Sequence, residues 1–383
     1  MKIIIAPDSY KESLTAMDVC NAIEEGFKQV YSDATYIKVP LGDGGEGTAS
    51  LLTEACGGTF VSCKVHDPLG RVIEAFYGLS PDGSTAFIEM AAASGLHLLS
   101  PKERNPLITS TYGTGELILD AINAGVQKII LGLGGSATND GGVGMAAALG
   151  VRFLNRKRST ISLNGGGLDE LAYIDTSALD SRLASIKIEA ACDVNNPLVG
   201  EKGASYIFAP QKGATSTMVE QLERNMRNYA YVLQECVQRD VNVAGAGAAG
   251  GMGAGVLAFL GGELVPGIDL VLSVSGIEKH MQEAELLITG EGRIDAQTIQ
   301  GKTISGVATL AAQYGVPVVV IAGSADNNHQ VVYKHGIDAV FSIVPGAMSL
   351  EEALQNAYEN VTLTARNVAA VWKIAQQSLY KDN

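Results

Sequence analysis

The chain has 383 residues, of which 46% are hydrophobic, 18% are charged and 45 are glycine. This length and composition exclude a disordered chain and predict two domains, or one domain with a large insertion. The formal net charge of −14 excludes the basic surface that binds nucleic-acid backbones, and it disfavours anionic membranes. The five cysteines show no metal-ligand spacing, and no apolar run approaches the roughly 20 residues of a membrane span. We therefore expect a cytoplasmic protein with no nucleic-acid or membrane partner.

The two ends of the chain predict one domain. Residues 2–5 form a short apolar run that predicts a buried strand, and a helix with apolar positions at Val19, Ile23 and Phe27 follows it. Three further apolar runs alternate with helical stretches near the other end, at 286–289, 318–323 and 339–343. Residues 350–380 predict a closing helix. This pattern is typical of a Rossmann-like, doubly wound parallel sheet.

The middle of the chain predicts a second α/β domain. Residues 59–79 alternate apolar and polar positions around the turn signal at 67–70, and residues 85–90 offer a third strand. The strand predicted at 128–133 and the helices predicted at 114–124 and 216–238 make the expected sheet mixed. We place the Rossmann-like domain at 1–54 and 284–383 and the inserted domain at 55–283.

The most informative motif is a glycine-rich stretch that directly follows the strand at 128–133. Backbone N–H groups in such loops hold phosphate oxygens, and hydroxyl or amide side chains add hydrogen bonds. The candidate nucleotide-binding residues are Gly132, Gly134, Gly135, Ser136, Thr138 and Asn139. Asp140 is a candidate to face a metal, and a tight turn with a helix cap is the structural alternative.

The same stretch also resembles the GxGxxA fingerprint of dinucleotide-binding folds, and a literal GxGxxG occurs at Gly245, Gly247 and Gly250. No acidic residue follows the first stretch by about 20 positions, which argues against a nicotinamide cofactor. The second match is more typical of helix-packing glycines. A nicotinamide-dependent oxidoreductase of a small hydroxy acid stays open as an alternative, as does a non-catalytic sensor of sugar acids or nucleotides.

Polar and charged residues also follow several other predicted strands. The loops at 6–13, 41–48, 191–198 and 289–302 carry acidic residues, and two of them also carry cations. Open α/β sheets bind ligands at the carboxyl ends of their strands, where carboxylates suit Mg²⁺ together with substrate phosphates. These loops contribute Asp8, Ser9, Lys11, Asp43, Glu46, Asp193, Glu291, Arg293, Asp295 and Lys302.

Seven motifs in order resemble the motif series of the bacterial type-1 glycerate kinase family. They are APDSYKESL, LGDGGEGT, GLGGSATNDGG, ACDVNNPL, FAPQKGA, GAGAAGGMGAG and TGEGRIDAQTIQGK. The resemblance as a whole runs from residue 1 to about 375. The resemblance implies ATP-dependent phosphorylation of glycerate, from D-glycerate to 2-phosphoglycerate, with Mg²⁺. It also implies a Rossmann-like domain with a second domain inserted into it.

Phosphoryl transfer needs positioning and charge neutralisation, which suggests a role for each candidate. We expect the glycine-rich stretch to hold the ATP phosphates, and Asp193 and Asp295 to hold Mg²⁺. Asp8 is the first candidate for the base that takes the proton of the acceptor hydroxyl, and Asp43 is the second. The expected partners of the glycerate carboxylate or the transferred phosphate are Ser9, Lys11, Arg293 and Lys302.

Overall fold

The computed structural model describes residues 1–42, 47–238, 240–296, 298 and 302–379, with backbone alone for residues 302, 378 and 379. The chain divides into two compact units. Residues 1–43 and 268–383 form one, which we call the terminal unit, and residues 44–267 form the other, which we call the inserted unit. The predicted domain assignment, with joins at 54/55 and 283/284, stays a prediction.

The strands of the described residues are short, as is usual in α/β proteins. In chain order they are β1 (Lys2–Ile5), β2 (Thr35–Lys38), β3 (Thr59–His66), β4 (Val72–Leu79), β5 (Thr85–Glu89), β6 (Lys128–Gly132), β7 (Arg152–Leu154), β8 (Tyr173–Asp175), β9 (Lys187–Ala191), β10 (Glu263–Val265), β11 (Leu286–Thr289), β12 (Arg293–Ile294), β13 (Val318–Ala322), β14 (Ser324–Ala325) and β15 (Ala339–Ser342).

The α-helices of the described residues vary from single turns to 23 residues. In chain order they are α1 (Ala16–Lys28), α2 (Thr48–Ala55), α3 (Ala91–Ser94), α4 (Tyr112–Asn123), α5 (Val143–Ala148), α6 (Ala204–Phe208), α7 (Ser216–Val237), α8 (Ala248–Gly255), α9 (Gly267–Ser275), α10 (Ile277–Met281), α11 (Lys302–Gln313), α12 (Leu350–Gln355) and α13 (Ala357–Leu379). Short 3₁₀ turns lie at Leu96–Leu98, Gly167–Glu170, Ser181–Ser185, Pro210–Lys212 and His329–His335, and one π turn lies at Val256–Leu260.

The main sheet of the terminal unit is parallel, with the strand order β2-β1-β11-β13-β15. Every residue of β11 and β13 is buried, because their continuous Leu, Ile and Val side chains face apolar neighbours on both sides of the sheet. The order of the strands along the chain reverses at β1, so β1 and β11 flank the topological switch point. The predicted Rossmann-like parallel sheet is confirmed.

Helices α1 and α13 pack closely in the core of this unit. α1 begins with a capping box between Thr15 and Asp18, and its apolar stripe of Val19, Ile23 and Phe27 is fully buried. A Cβ atom at Gly26 would lie 2.3 Å from the carbonyl oxygen of Thr362 in α13. Glycine at this position therefore allows the two helix backbones to approach closely.

The main sheet of the inserted unit is mixed, with the strand order β10-β9-β6-β5-β4-β3. β3, β4 and β5 form the predicted antiparallel meander, and β5, β6, β9 and β10 are parallel. The carboxyl ends of β5, β6 and β9 consequently lie at the same edge. This edge carries the glycine-rich stretch after β6 and Asp193 after β9.

The closing helix differs from its prediction. The segment is two helices, because α12 ends at Gln355 and α13 begins at Ala357. A second capping box, in which Ser349 and Glu352 exchange hydrogen bonds, starts the short α12. Leu350, the first apolar residue of the segment predicted as the closing helix, has 73% of its surface exposed.

Candidate active site

In the terminal unit, the loops after β1 and β11 run side by side beyond the ends of the strands. The amide of Ala6 donates to the carbonyl oxygen of Ile288, and the amide of Asp8 donates to that of Gly290, both at 2.8 Å. A ligand crevice is expected at the carboxyl ends of the strands that flank a switch point. The two loops therefore form the first candidate region.

The loop after β1 presents the predicted residues Asp8, Ser9 and Lys11. The Oδ1 atom of Asp8 accepts hydrogen bonds from the Ser9 amide at 2.6 Å and from the Ser9 hydroxyl at 3.3 Å. Tyr10, which lies between Ser9 and Lys11 in the chain, is buried, and its hydroxyl donates a hydrogen bond to the carbonyl oxygen of Ile321 at 2.6 Å. Burial, reinforced by the charge of Glu291, raises the pKa of Tyr10. Tyr10 thus fixes the loop, while Asp8 and Lys11 line the cavity beside it.

The loop after β11 is organised around Thr298. Its hydroxyl donates to Oε1 of Glu291 at 2.7 Å and accepts from the Asp295 amide at 3.1 Å. The exposed guanidinium of Arg293 contacts Oδ2 of Asp326 at 2.6 Å and lies 3.8 Å from Oδ2 of Asp295. Two carboxylates, Asp295 of this loop and Asp326 after β14, therefore flank the exposed guanidinium of Arg293.

These loops line a cavity of about 820 Å³ in the terminal unit. Its walls bring together most of the predicted residues of this unit, with Glu291 and two threonines between them. Among the lining residues are Asp8, Ser9, Lys11, Glu291, Arg293, Thr298 and Thr303. Asp43 and the side chain of Lys302 lie outside the described residues.

Glu291 lines this cavity, and its place in the sequence alone did not suggest a specific role for it. Burial of its carboxyl group raises the pKa of Glu291 to about 7, and the charges of Asp8 and Asp295 add to the rise. The Thr298 hydrogen bond and the charge of Lys11 oppose it. A carboxyl group that titrates near neutrality in a cleft is a candidate functional residue. Its position two residues after a buried strand was the available signal.

In the inserted unit, the glycine-rich stretch turns sharply after β6 at Gly134 and Gly135. Gly135 has a φ of +71° and is exposed, as the left-handed region favours for glycine. Within the described residues, the N–H groups of Gly134, Gly135 and Ser136 donate to no backbone or side-chain acceptor. Three adjacent unpaired N–H groups at the carboxyl end of a strand can bind an anion. We call residues 134–136 the glycine turn.

Lys212 lies directly beneath the glycine turn. Its Nζ atom donates to the Ser136 hydroxyl at 2.7 Å and to the carbonyl oxygen of Thr138 at 2.6 Å, and only 1% of the residue is exposed. Burial lowers the pKa of Lys212 to about 7, and the negative charge of Asp140 opposes the fall. Lys212 belongs to the motif FAPQKGA, whose sequence alone suggests no role for this residue.

The four residues after the turn, 137–140, are buried. Both oxygens of Asp140 accept hydrogen bonds, from the amide and hydroxyl of Thr111 and from the amides of Gly142 and Gly144. Asp140 therefore anchors the loop, and its expected position facing a metal stays a prediction. Thr138 Oγ1 and Asn139 Oδ1 have no hydrogen-bond partner among the described residues.

Asp193 follows β9, and both of its carboxylate oxygens lie 3.3 Å from the amide of Gly267. The other predicted metal ligand, Asp295, belongs to the terminal unit. The described residues contain no group of three or more His, Cys, Asp or Glu side chains that could hold a metal by themselves. Any Mg²⁺ here would need oxygen ligands from elsewhere, such as substrate phosphates.

The second GxGxxG match packs against the first glycine-rich stretch. Gly250 has a φ of +74°, and a Cβ atom there would lie 2.1 Å from the carbonyl oxygen of Thr138. The amide of Gly141 donates to the carbonyl oxygen of Gly250 at 3.0 Å. These glycines support the loop from behind, as the packing interpretation predicts.

A turn whose N–H groups can bind an anion and a cavity with carboxylates and cations are features that phosphoryl transfer uses. Similarity to known proteins shows the class, a small-molecule phosphotransferase. A model of the Glycerate kinase family matches residues 3–373. The chain is 55% identical over 378 residues to a glycerate kinase of Bacillus cereus, covering 98% of this chain and 99% of that protein. It is 51% identical over 379 residues to the glycerate 2-kinase of Escherichia coli, covering 99% and 100% of the two chains.

The crystal structure of a protein assigned as glycerate kinase 2 from Salmonella typhimurium LT2 superposes with a TM-score of 0.90 at 53% identity. The superposition covers 98% of this chain and 99% of that one. The chain belongs to the glycerate kinase family. Neither the nicotinamide oxidoreductase nor the non-catalytic sensor receives support from these similarities. Among the described residues, no helix is both long and apolar enough to span a membrane.

Proposed function

We propose that this chain is an ATP-dependent kinase that transfers the γ-phosphate of ATP to a hydroxyl group of D-glycerate, giving 2-phosphoglycerate. The observation that carries the proposal is the family match over residues 3–373. The glycerate 2-kinase of Escherichia coli, similar over 99% of this chain, supports the position of the new phosphate.

The glycine turn and its surroundings are assigned to the nucleotide. The N–H groups of Gly134, Gly135 and Ser136 donate to phosphate oxygens, and the ammonium group of Lys212 holds Ser136 in place from below. A Cβ atom at Gly132 would lie 2.6 Å from Oε2 of Glu89, so glycine at this position leaves room for the Glu89 carboxylate. The direct roles of Thr138 and Asn139 stay predictions.

The cavity of the terminal unit is assigned to the acceptor. Glycerate is an anion, and in a chain of net charge −14 its carboxylate needs local cations. Lys11 and Arg293 supply them, with Lys302 as a further candidate, and Ser9 adds a hydroxyl group. Asp8 takes the proton of the attacking hydroxyl, with Asp43 as the second candidate.

Mg²⁺ is the metal that fits carboxylate donors such as Asp193 and Asp295. When bound, it would neutralise part of the charge on the ATP phosphates. All five cysteines are free thiols, which suits the reducing cytoplasm that we propose as the location.

Steady-state release of ADP tests the proposed function. The assay uses ATP and Mg²⁺ with D-glycerate, L-glycerate or tartronate, and a blank without acceptor. We expect D-glycerate to raise the rate far above the blank. Equal rates with and without every acceptor would contradict the proposal.

A further inference from the structure

A second cavity, of about 300 Å³, lies in the inserted unit on one face of its mixed sheet. Three phenylalanines from adjacent strands form its apolar part, with α2 and the segment after β5 at its sides. The lining residues used below are Phe60, Phe76, Phe87, Glu74, Glu89 and His97. None of them has a role in the proposed function.

Strand pairing places this cavity on the same face as the glycine-rich stretch. Gly78 pairs with both Phe60 and Phe87, so Phe76, two residues along β4, shares their face. Glu89 pairs with Gly132, and a Cβ atom at Gly132 would meet the Glu89 carboxylate. The face is therefore continuous from β3 to the start of the glycine-rich stretch.

The segment after β5 joins the cavity wall directly to the glycine turn. The amide of Leu96 donates to the carbonyl oxygen of Gly135, and the amide of Ala137 donates to that of Ser94, both at 2.8 Å. The next residues, His97 and Leu98, line the cavity. β4 is two strands away from β6, and strands lie about 4.8 Å apart, so Phe76 is separated from Gly132 by roughly 10 Å.

Two of the phenylalanines are unusually exposed for large aromatic side chains. Phe60 has 49% and Phe76 has 53% of its surface exposed. Exposed aromatic groups beside a cavity are typical of sites that stack planar rings. The third phenylalanine, Phe87, is buried and lines the cavity from within the sheet.

We propose that this cavity, which we call the aromatic pocket, binds the purine ring of the nucleotide while the phosphates bind the glycine turn. The inference rests on the proposed function, because it assumes that ATP is the phosphoryl donor. The roughly 10 Å between Phe76 and Gly132 suits a ribose and the first phosphate.

The charges of the aromatic pocket fix which end of the nucleotide enters it. Its rim carries the carboxylates of Glu74 and Glu89. Glu74 accepts a hydrogen bond from the Ser62 hydroxyl at 2.5 Å, and Glu89 accepts one from the Ala49 amide at 2.6 Å. Carboxylates repel phosphate groups, and they accept hydrogen bonds from an exocyclic amino group. The cavity also lies at the lower end of the ~300–1,000 Å³ range of small-molecule sites, so it fits a ring better than a whole nucleotide.

The test compares ADP with inorganic tripolyphosphate, which has phosphates and no ring. Calorimetric titration gives the Kd of both for wild type, Phe76→Ala and Phe60→Ala. The control is Phe341→Ala, which removes a phenylalanine of 36% exposure from β15 in the terminal unit. Melting temperatures check that each variant folds.

We expect Phe76→Ala to raise the Kd for ADP by about tenfold, since stacking on an aromatic side chain is commonly worth that much, and to leave the Kd for tripolyphosphate unchanged. Phe60→Ala should act in the same direction, and Phe341→Ala should leave both constants at wild-type values. An unchanged Kd for ADP in both pocket variants would overturn the inference, as would an equal loss for ADP and tripolyphosphate. If wild type then still phosphorylates glycerate, the proposed function survives. Failure of wild type to bind ADP or phosphorylate glycerate would instead overturn the function and the inference together.

Discussion

Substituting Lys212 by methionine separates the electrostatic role of this buried side chain from its packing role. Methionine has nearly the same length and fills the same space without the charge. The change removes the ammonium group that donates to the Ser136 hydroxyl and to the carbonyl oxygen of Thr138. If the glycine turn binds phosphates, Lys212→Met weakens ATP binding while the fold persists.

Two large terms nearly cancel in the stability of this variant. A pKa that falls from 10.5 to about 7 corresponds to a cost of roughly 5 kcal/mol for burying Lys212 at neutral pH, which methionine does not incur. The variant loses two hydrogen bonds from a charged donor, at about 1.5–3 kcal/mol each. We expect the free energy of unfolding at pH 7 to stay within about 3 kcal/mol of wild type.

The loss of ATP binding, unlike the change in stability, has no compensating gain. A phosphate charge roughly 6 Å from the ammonium group gains about 3 kcal/mol at an effective dielectric constant of about 20. Because Lys212 is only partly charged at pH 7, we expect the KM for ATP to rise at least about tenfold. The KM for D-glycerate should change less than about twofold.

The assay is steady-state kinetics at several pH values together with urea unfolding. Relative to Lys212→Met, wild type should gain stability as the pH rises from about 7 towards 10. The unfolded lysine keeps its proton over this range and the folded one has lost it. The KM for ATP of Lys212→Met, divided by that of wild type, should fall over the same pH range. An unchanged KM for ATP, or loss of most of the folding stability, would refute the reasoning.

Three further predictions concern both units. Asp8→Asn should lower turnover by orders of magnitude and leave the Kd for ADP and the melting temperature near wild type; wild-type turnover would remove Asp8 from the role of base. Between pH 4.5 and 8, the free energy of unfolding of wild type should fall by about 3 kcal/mol relative to that of Glu291→Gln, because the folded carboxyl keeps its proton up to a pKa of about 7. If urea unfolding gave the same pH dependence for both proteins, the burial of this carboxyl group would be contradicted. Gly250→Ala should lower the free energy of unfolding by about 3 kcal/mol, since its Cβ would lie 2.1 Å from the Thr138 carbonyl oxygen. The control Gly261→Ala, at a φ of +61° in open space, should lower it by about 1 kcal/mol. Equal losses for the two variants in chemical denaturation would rule out the close contact.

The parallel sheet of the terminal unit could be predicted because its signal is local. The runs at 286–289 and 318–322 are continuous and apolar, and both are fully buried strands. The capping box that starts α12 is equally local, at Ser349 and Glu352, yet the apolar spacing predicts a single helix over α12 and α13. Helix boundaries of this kind depend on single turns of backbone that apolar spacing does not detect.

The functional environment of the candidate site was harder to predict. Lys212 lies 76 residues after Ser136 in the chain, and its buried position depends on the packing of these two distant segments. The raised pKa of Glu291 similarly results from burial of its carboxyl group, and the charges of Asp8 on one loop and Asp295 on the other add to the rise. Spacing along the chain reports which residues follow strands, but it does not report which of them become desolvated.

Phosphorus NMR of the complete reaction tests the central claim most directly. ATP, Mg²⁺ and D-glycerate are incubated with the full chain, and the product resonance is compared with authentic 2-phosphoglycerate and 3-phosphoglycerate. The account predicts one new phosphomonoester signal that coincides with 2-phosphoglycerate and grows as ADP appears. ADP accompanied only by inorganic phosphate, or no consumption of ATP when D-glycerate is present, would contradict it.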